Sequence, residues 1–85
     1  MATIEMYMKP TCGFCHAAMR MLDSKKAGYT TVNITAQPDK RPEMIQRANG
    51  RSTVPQIFIN GTHIGGYDDL NALNAAGKLD QLLAA

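Results

Sequence analysis

The feature that most constrains the fold is an alternation of short apolar segments with segments of helical periodicity. Apolar pattern and turn residues predict strands at about Thr3–Met8 and Tyr29–Ile34, with a helix from Gly13 to about Lys26 between them. Gly28 follows this helix as a stop signal. Two strands joined through a helix form a parallel pair, so the first part of the chain predicts a β-α-β unit.

The rest of the chain predicts a second helix and a β-hairpin. Asp39 is placed to cap the second helix, and Pro42 is tolerated because it falls in the first turn. Gln56–Ile59 and Thr62–Ile64 flank Asn60-Gly61, a residue pair typical of a two-residue turn between antiparallel strands. The last two strands are therefore expected to be antiparallel neighbours.

A third helix completes the pattern, beginning at Asp68 or Asp69, and leucines near the C-terminus can pack a final turn on the core. A β-α-β unit followed by a hairpin and a helix forms one four-stranded mixed sheet flanked by three helices. We therefore predict a single α/β domain over residues 1–85.

Charge and hydropathy exclude several classes of function. The net charge of +2 comes from nine Lys and Arg against seven Asp and Glu, without the clustered basic face typical of nucleic-acid binding. No apolar run approaches the roughly 20 residues that a membrane span needs. The N-terminus carries no secretory signal pattern, so we expect a cytoplasmic protein that binds neither nucleic acid nor membrane.

The two cysteines of the chain stand at the junction of the first strand and the first helix, as Cys12-Gly13-Phe14-Cys15. A Cys-x-x-Cys pair at this position indicates a redox site. The first turn of a helix offers unpaired N–H groups and a partial positive charge, and both favour a thiolate. Together with the element order, the pair indicates a thioredoxin-like fold.

Three motifs resemble those of dithiol glutaredoxins, in the same order and spacing and across essentially the whole chain. They are Lys9-Pro10-Thr11-Cys12-Gly13-Phe14-Cys15, Thr53-Val54-Pro55-Gln56 and Gly65-Gly66-Tyr67-Asp68-Asp69. The resemblance implies a glutathione-dependent thiol-disulfide oxidoreductase that serves cell redox homeostasis. It implies glutathione as co-substrate, glutathionylated or disulfide-containing proteins as partners, and we expect a monomer.

The resemblance also implies roles for the first two motifs. Cys12 is the implied nucleophile in thiol–disulfide exchange, and Cys15 is the implied resolving thiol. Thr53-Val54-Pro55 is expected to hold a cis peptide bond before the proline, which turns the backbone of Val54 toward Cys12. The N–H and C=O of Val54 are then placed to pair with the cysteinyl part of glutathione, like an added strand.

The third motif is expected to bind the γ-glutamyl end of glutathione. Gly66 and Tyr67 lead into the third helix, whose first N–H groups suit a carboxylate, and Asp68 or Asp69 suits the α-ammonium. An alternative role for Asp68 is ordinary capping of this helix. Phe14 and Thr53 complete the glutathione-binding set.

The basic residues divide into two groups. Lys9 and Arg41 are candidates for the glycyl carboxylate of glutathione, and Lys9 has the additional support of its motif position. Solvated surface charges are the expectation for the other basic residues nearby in sequence, Lys40, Arg47 and Arg51. Gln56 either adds a polar contact to the ligand or points away from it.

The residues between the two cysteines depart from the common dithiol pattern, which has Pro-Tyr where this chain has Gly13-Phe14. Gly-Phe occurs in the monothiol, iron–sulfur-carrying members, where serine replaces the second cysteine. The chain lacks two other features of those members, the segment inserted after the lysine and the Trp-Pro before the proline turn. The alternative function is a carrier or sensor that binds a glutathione-ligated [2Fe–2S] cluster through Cys12 as a dimer.

Two further alternatives use the histidine that follows the pair. Cys12-x-x-Cys15-His16 matches covalent haem attachment, although the expected strands after residue 50 and the missing export signal argue against it. Cys12, Cys15, His16 and His63 could also supply a zinc site. Adjacent Cys15 and His16 make tetrahedral closure awkward, and His63 fits equally well as an ordinary strand residue.

Overall fold

The computed structural model describes residues 2–84. Within that range, no helix is both long and apolar enough to cross a membrane. The elements are, in order, β1 Ile4–Met8, α1 Gly13–Ser24, β2 Thr30–Asn33, α2 Lys40–Arg47, β3 Gln56–Ile59, β4 Thr62–Gly65, α3 Tyr67–Ala75 and α4 Leu79–Ala84.

The four strands form one mixed sheet in the order β2-β1-β3-β4. β1 runs parallel to β2, with Met6 opposite Thr31, and antiparallel to β3, with Met6 opposite Ile57. β3 and β4 are antiparallel and are joined at Asn60-Gly61, whose φ angles of 52° and 80° are those of the expected tight turn. The predicted α/β class, mixed sheet and hairpin are confirmed.

The sheet separates two apolar layers because successive β1 side chains point to opposite faces. Met6 packs in the larger layer, which includes Leu22 of α1, Leu70 of α3 and Leu79 of α4, and all four are fully buried. Tyr7 faces the other side, toward Met44 of α2. The first layer holds α1 against the sheet and so fixes the position of the helix that begins directly after Cys12.

Four details of the helices differ from the sequence prediction. α1 ends at Ser24 because Lys26, with φ of 56°, takes the left-handed conformation expected of Gly28. Asp39 makes no capping hydrogen bond through its side chain. α3 begins at Tyr67 with Gly66 as its N-cap. The predicted final turn is a fourth helix, α4, because Leu79 is fully buried on the core.

Arg47 is not the solvated surface charge that the sequence suggested. Its guanidinium donates through Nη1 and Nη2 to both carboxylate oxygens of Glu5, at 3.2 and 3.0 Å. It also donates to the hydroxyl of Tyr7 at 2.9 Å and lies over the ring of Phe58, 4.1 Å from Cζ to the centroid. This planar, bidentate arrangement attaches α2 to β1 and β3.

We expect Arg47→Lys to lower the free energy of unfolding by about 1–2 kcal/mol, because an ammonium cannot bind both Glu5 oxygens while stacking on Phe58. Urea denaturation measures the difference. Arg20→Lys is the matched control, since Arg20 is exposed on α1. Equal losses in the two variants would contradict a specific role for the guanidinium.

Candidate active site

Cys12 lies at the N-cap of α1, with φ of −88° and ψ of 111°. Its N–H donates to the carbonyl of Lys9 at 3.1 Å, which closes the loop between β1 and the helix. The sulfur of Cys12 accepts a hydrogen bond from the N–H of Cys15 at 3.1 Å. A helix N–H aimed at this sulfur stabilises negative charge on it, so the helix start supports a thiolate.

Cys15 is less exposed than Cys12 and its thiol is held in the protonated form. Cys15 is fully buried, whereas Cys12 is partly exposed, and both are free thiols. Burial, followed by the hydrogen bond with Cys12, raises the pKa of Cys15 to about 12. Cys15 is therefore a protonated thiol at neutral pH, and only Cys12 presents sulfur to solvent.

His16 ties α1 to the loop before it. Its side chain is exposed, and its Nε2 lies 2.7 Å from the carbonyl of Pro10. A carbonyl only accepts, so Nε2 carries the proton and donates. This contact holds the loop on which Cys12 stands.

The peptide bond between Val54 and Pro55 is cis, which confirms the expectation from the second motif. The thiol of Cys12 lies 3.6 Å from the carbonyl oxygen of Val54. The turn before β3 and the start of α1 therefore meet at the sulfur of Cys12.

Gln56 points into the protein, away from any ligand, and it is fully buried. Its Nε2 donates to the carbonyl of Thr53 at 2.9 Å, and its Oε1 lies 2.7 Å from Nε2 of His63. Because Oε1 only accepts, Nε2 of His63 is the donor, while Asn49 is 3.5 Å from the other ring nitrogen. His63 is thus a strand residue, as expected, that also supports the turn before Pro55.

We expect His63 to make the fold weaken as pH falls. Burial, with a smaller contribution from the Arg51 charge, holds the pKa of His63 below its usual value. The unfolded chain then binds the proton more readily, so stability is complete above about pH 6.5 and declines below it. Urea denaturation between about pH 7.5 and about pH 5 measures the decline.

His63→Gln keeps a donor for Gln56 and removes the titration, so its unfolding free energy is expected to fall less over that pH range. His16→Gln is the control, because it removes the other histidine of the chain. An unchanged pH dependence in His63→Gln would contradict the assignment.

A cleft of about 250 Å³ lies beside Cys12, next to the carbonyl of Val54. Phe14 and Tyr67 form one wall, with their rings stacked at 6.1 Å between centroids, and Phe14 is 64% exposed. Most of the predicted glutathione-binding residues line this cleft. The lining residues are Phe14, Arg51, Thr53, Val54, Pro55, Gly66, Tyr67, Asp68 and Asp69.

Asp69 is held at the floor of the cleft by two donors. Its Oδ2 accepts from the N–H of Gly66 and from Nη1 of Arg51, each at 2.9 Å. The Gly66 N–H, followed by the Arg51 hydrogen bond, holds the pKa of Asp69 below its usual value, so this carboxylate stays ionised. Capping of α3 thus involves Asp69, while Asp68 is exposed and lines the cleft.

Arg51 is the lining residue that sequence reasoning missed. It was expected to be a solvated surface charge, and only its position two residues before Thr53 could have indicated otherwise. Lys9 and Arg41 are exposed and lie outside the lining of this cleft. Their contact with a glycyl carboxylate stays a prediction.

The alternative zinc ligands are not brought together. His63 contacts Gln56 and His16 contacts Pro10. In the part of the chain that the structure describes, no three His, Cys, Asp or Glu side chains form a group that could hold a metal ion.

Residues 4–64 match the family model described as Glutaredoxin. The chain is 53% identical to glutaredoxin 3 of Escherichia coli strain K12 over 83 residues, which cover 98% of this chain and 99% of that protein. The chain belongs to the glutaredoxin family. This glutaredoxin is also 41% identical to the glutaredoxin of Pseudomonas aeruginosa, over the full length of both.

Solved structures agree with this assignment. The buckwheat glutaredoxin–glutathione complex superimposes with a TM-score of 0.89 at 31% identity, covering 95% of this chain and 76% of that one. The holo form of glutaredoxin C1 from a poplar hybrid gives 0.87 at 29% identity, covering 95% and 82%. These neighbours share the thioredoxin-like fold, and this glutaredoxin is accordingly a glutathione-dependent thiol-disulfide oxidoreductase.

Proposed function

We propose that Cys12 of this enzyme attacks the glutathionyl sulfur of a mixed disulfide. The thiolate forms a Cys12–glutathione disulfide and releases the other thiolate, which takes a proton from water. A second glutathione thiolate then attacks the glutathionyl sulfur, which releases glutathione disulfide and restores Cys12. Glutathione is thus the reductant, and the two electrons end in the substrate thiol.

The difference between the two cysteines is the single observation that carries this proposal. The sulfur of Cys12 is partly exposed and accepts the N–H of Cys15 at 3.1 Å. Cys15 is fully buried, and its pKa is raised to about 12, so its thiol stays protonated at neutral pH. An attacking thiol must be accessible, and its reactivity rises where hydrogen bonds favour the thiolate; Cys12 alone of the two is exposed and accepts a helix N–H.

Cys15 is proposed to act second, on protein disulfides. Attack of Cys12 joins it to one protein sulfur and releases the other, and attack of Cys15 on Cys12 then releases the protein sulfur that was joined to it. The Cys12–Cys15 disulfide is then reduced by two glutathione molecules. The proton of Cys15 must leave before its sulfur attacks, and solvent water is the proposed base that accepts it.

The cleft is proposed to hold glutathione in an extended conformation. Val54 supplies main-chain groups for the cysteinyl residue, and Thr53 with Pro55 shapes that end of the cleft. The start of α3 at Gly66 and Tyr67 receives the γ-glutamyl carboxylate, and Asp69 receives its α-ammonium. The buckwheat relative, solved as a glutathione complex, supports glutathione as the ligand.

The remaining predicted contacts extend the same proposal. Phe14 covers the ligand from the aromatic wall, and Asp68 adds negative charge near the ammonium. Lys9 is proposed for the glycyl carboxylate from its place in the loop before Cys12. We propose that the enzyme works as a monomer in the cytoplasm on glutathionylated or disulfide-containing proteins.

Turnover of one peptide in two mixed disulfides tests the proposal. The peptide cysteine is joined to glutathione in one substrate and to cysteamine in the other, and glutathione is the reductant in both assays. We expect the glutathione mixed disulfide to react at least about tenfold faster, because cysteamine lacks both carboxylates and the peptide groups that the cleft is proposed to bind. Equal rates would contradict a glutathione-binding cleft.

A second proposal is a [2Fe–2S] cluster shared by two copies through Cys12, with glutathione supplying the other thiolates. Gly13 favours it, because no atom lies within 4 Å of where a side chain would begin, so the surface at the residue after Cys12 is open to a second copy. Anaerobic reconstitution with iron, sulfide and glutathione is expected to give visible charge-transfer absorption and a dimer. A colourless monomer after reconstitution would contradict it.

A further inference from the structure

The charges that line the cleft are unequal. Asp68 and Asp69 supply two negative charges, and Arg51 is the one cationic residue among those that line it. Glutathione carries two carboxylates and one ammonium at neutral pH. A cleft with only the two aspartates would repel the ligand carboxylate nearest to them, so Arg51 supplies the compensating charge.

Arg51 and Asp69 each keep one polar atom for a ligand. Both hydrogen bonds of Asp69 fall on Oδ2, and Oδ1 accepts none from residues 2–84. Arg51 uses Nη1 for Asp69, while Nη2 lies 3.6 Å from where a side chain on Gly66 would begin. The cation and the anion therefore stand side by side over the start of α3.

This arrangement complements the charges of a free α-amino acid, which bears an ammonium and a carboxylate on one carbon. The side chains of Arg51 and Asp69 are 46% and 44% exposed, so their ion pair contributes little to stability and can adjust at low cost. The backbone of Arg51 is fixed more firmly, because its N–H donates to the carbonyl of Ala48 at 3.2 Å. A planar guanidinium held in this way suits a carboxylate.

We propose that Arg51 is a specificity-determining residue that binds the α-carboxylate of the γ-glutamyl group while Asp69 binds the α-ammonium of the same group. The inference rests on the proposed function. It adds to that function a preference for thiol compounds that carry an α-ammonium and an α-carboxylate on the same carbon. The carboxylate then lies between Arg51 and the N–H groups at the start of α3.

A pair of matched substrates tests this role. One peptide forms a mixed disulfide with glutathione, and in the second substrate the α-carboxylate of the γ-glutamyl group is an uncharged amide. We expect the wild type to prefer the first substrate by about tenfold in kcat/KM, the effect of one charged hydrogen bond. Arg51→Gln is expected to bring this ratio near one, and Arg51→Lys to restore part of it.

Arg20→Gln, on the exposed face of α1, removes the same charge away from the cleft and is expected to keep the wild-type ratio. An Arg51→Gln variant with the wild-type ratio, or a wild type without a preference, would overturn the inference. A wild type that attacks neither substrate would instead contradict the proposed function. Circular dichroism and the Arg51→Lys variant separate loss of recognition from loss of fold.

Discussion

Replacement of Cys12 with serine is expected to lower kcat for a glutathione mixed disulfide by roughly a thousandfold or more, which amounts to loss of turnover. A serine hydroxyl is not ionised at neutral pH, even with the N–H of residue 15 aimed at it. Cys15 cannot substitute, because it is fully buried and its pKa is raised to about 12. The variant should therefore also fail to form a glutathione adduct.

Cys15→Ser is the matched control, since it makes the same change three residues away. We expect it to retain turnover of glutathione mixed disulfides and to lose turnover of protein disulfides that need a resolving thiol. Mass spectrometry of the trapped adduct measures the first step, and a coupled assay with glutathione measures turnover. Substantial turnover in Cys12→Ser would refute the assignment of the nucleophile.

Gly65→Ala has the second largest expected effect, about 2–4 kcal/mol of lost stability. Gly65 has a φ of 119°, and a β-carbon there would stand 2.3 Å from Oδ2 of Asp69 and 2.6 Å from Nη1 of Arg51. Both side chains would have to move, and the N–H of Gly66 would lose its acceptor. Thermal and urea unfolding measure the stability, and kcat/KM for the glutathione mixed disulfide should fall with it.

Gly61→Ala separates the cost of the backbone conformation from the cost of displacing Asp69 and Arg51. Gly61 also has a positive φ, of 80°, but no atom lies within 4 Å of where its side chain would begin. We expect a cost of about 1–2 kcal/mol from backbone conformation alone, without an effect on substrate selection. If Gly65→Ala cost no more than Gly61→Ala, displacement of Asp69 and Arg51 would not be the cause.

Local patterns were sufficient to predict the strands. β3 has the predicted bounds, Gln56–Ile59, because a buried apolar run and the turn at Asn60-Gly61 fix both the strand and its partner. Helix ends were less predictable. Lys26 takes the left-handed conformation that the sequence predicts for Gly28. The residue that takes this conformation is determined by packing of the chain after α1 and not by residue type.

The polar residues of the site were the hardest to predict, because their surroundings come from distant parts of the chain. The motifs correctly brought Phe14, Val54 and Tyr67 to one cleft. Arg51 and Arg47 are alike in sequence as lone basic residues, yet one meets Asp69 and the other meets Glu5, across 18 and 42 residues. Sequence spacing gives no signal for contacts of this kind.

The burial of Cys15 beneath Cys12 has a consequence for the order of binding. Since one sulfur of the pair reaches solvent, the first substrate must leave a disulfide on that sulfur, and the reducing glutathione must then break the same disulfide. The two substrates therefore cannot occupy the enzyme together, and the first product has to leave before the second substrate arrives. Initial rates measured at several fixed concentrations of one substrate should give parallel double-reciprocal lines, the ping-pong pattern.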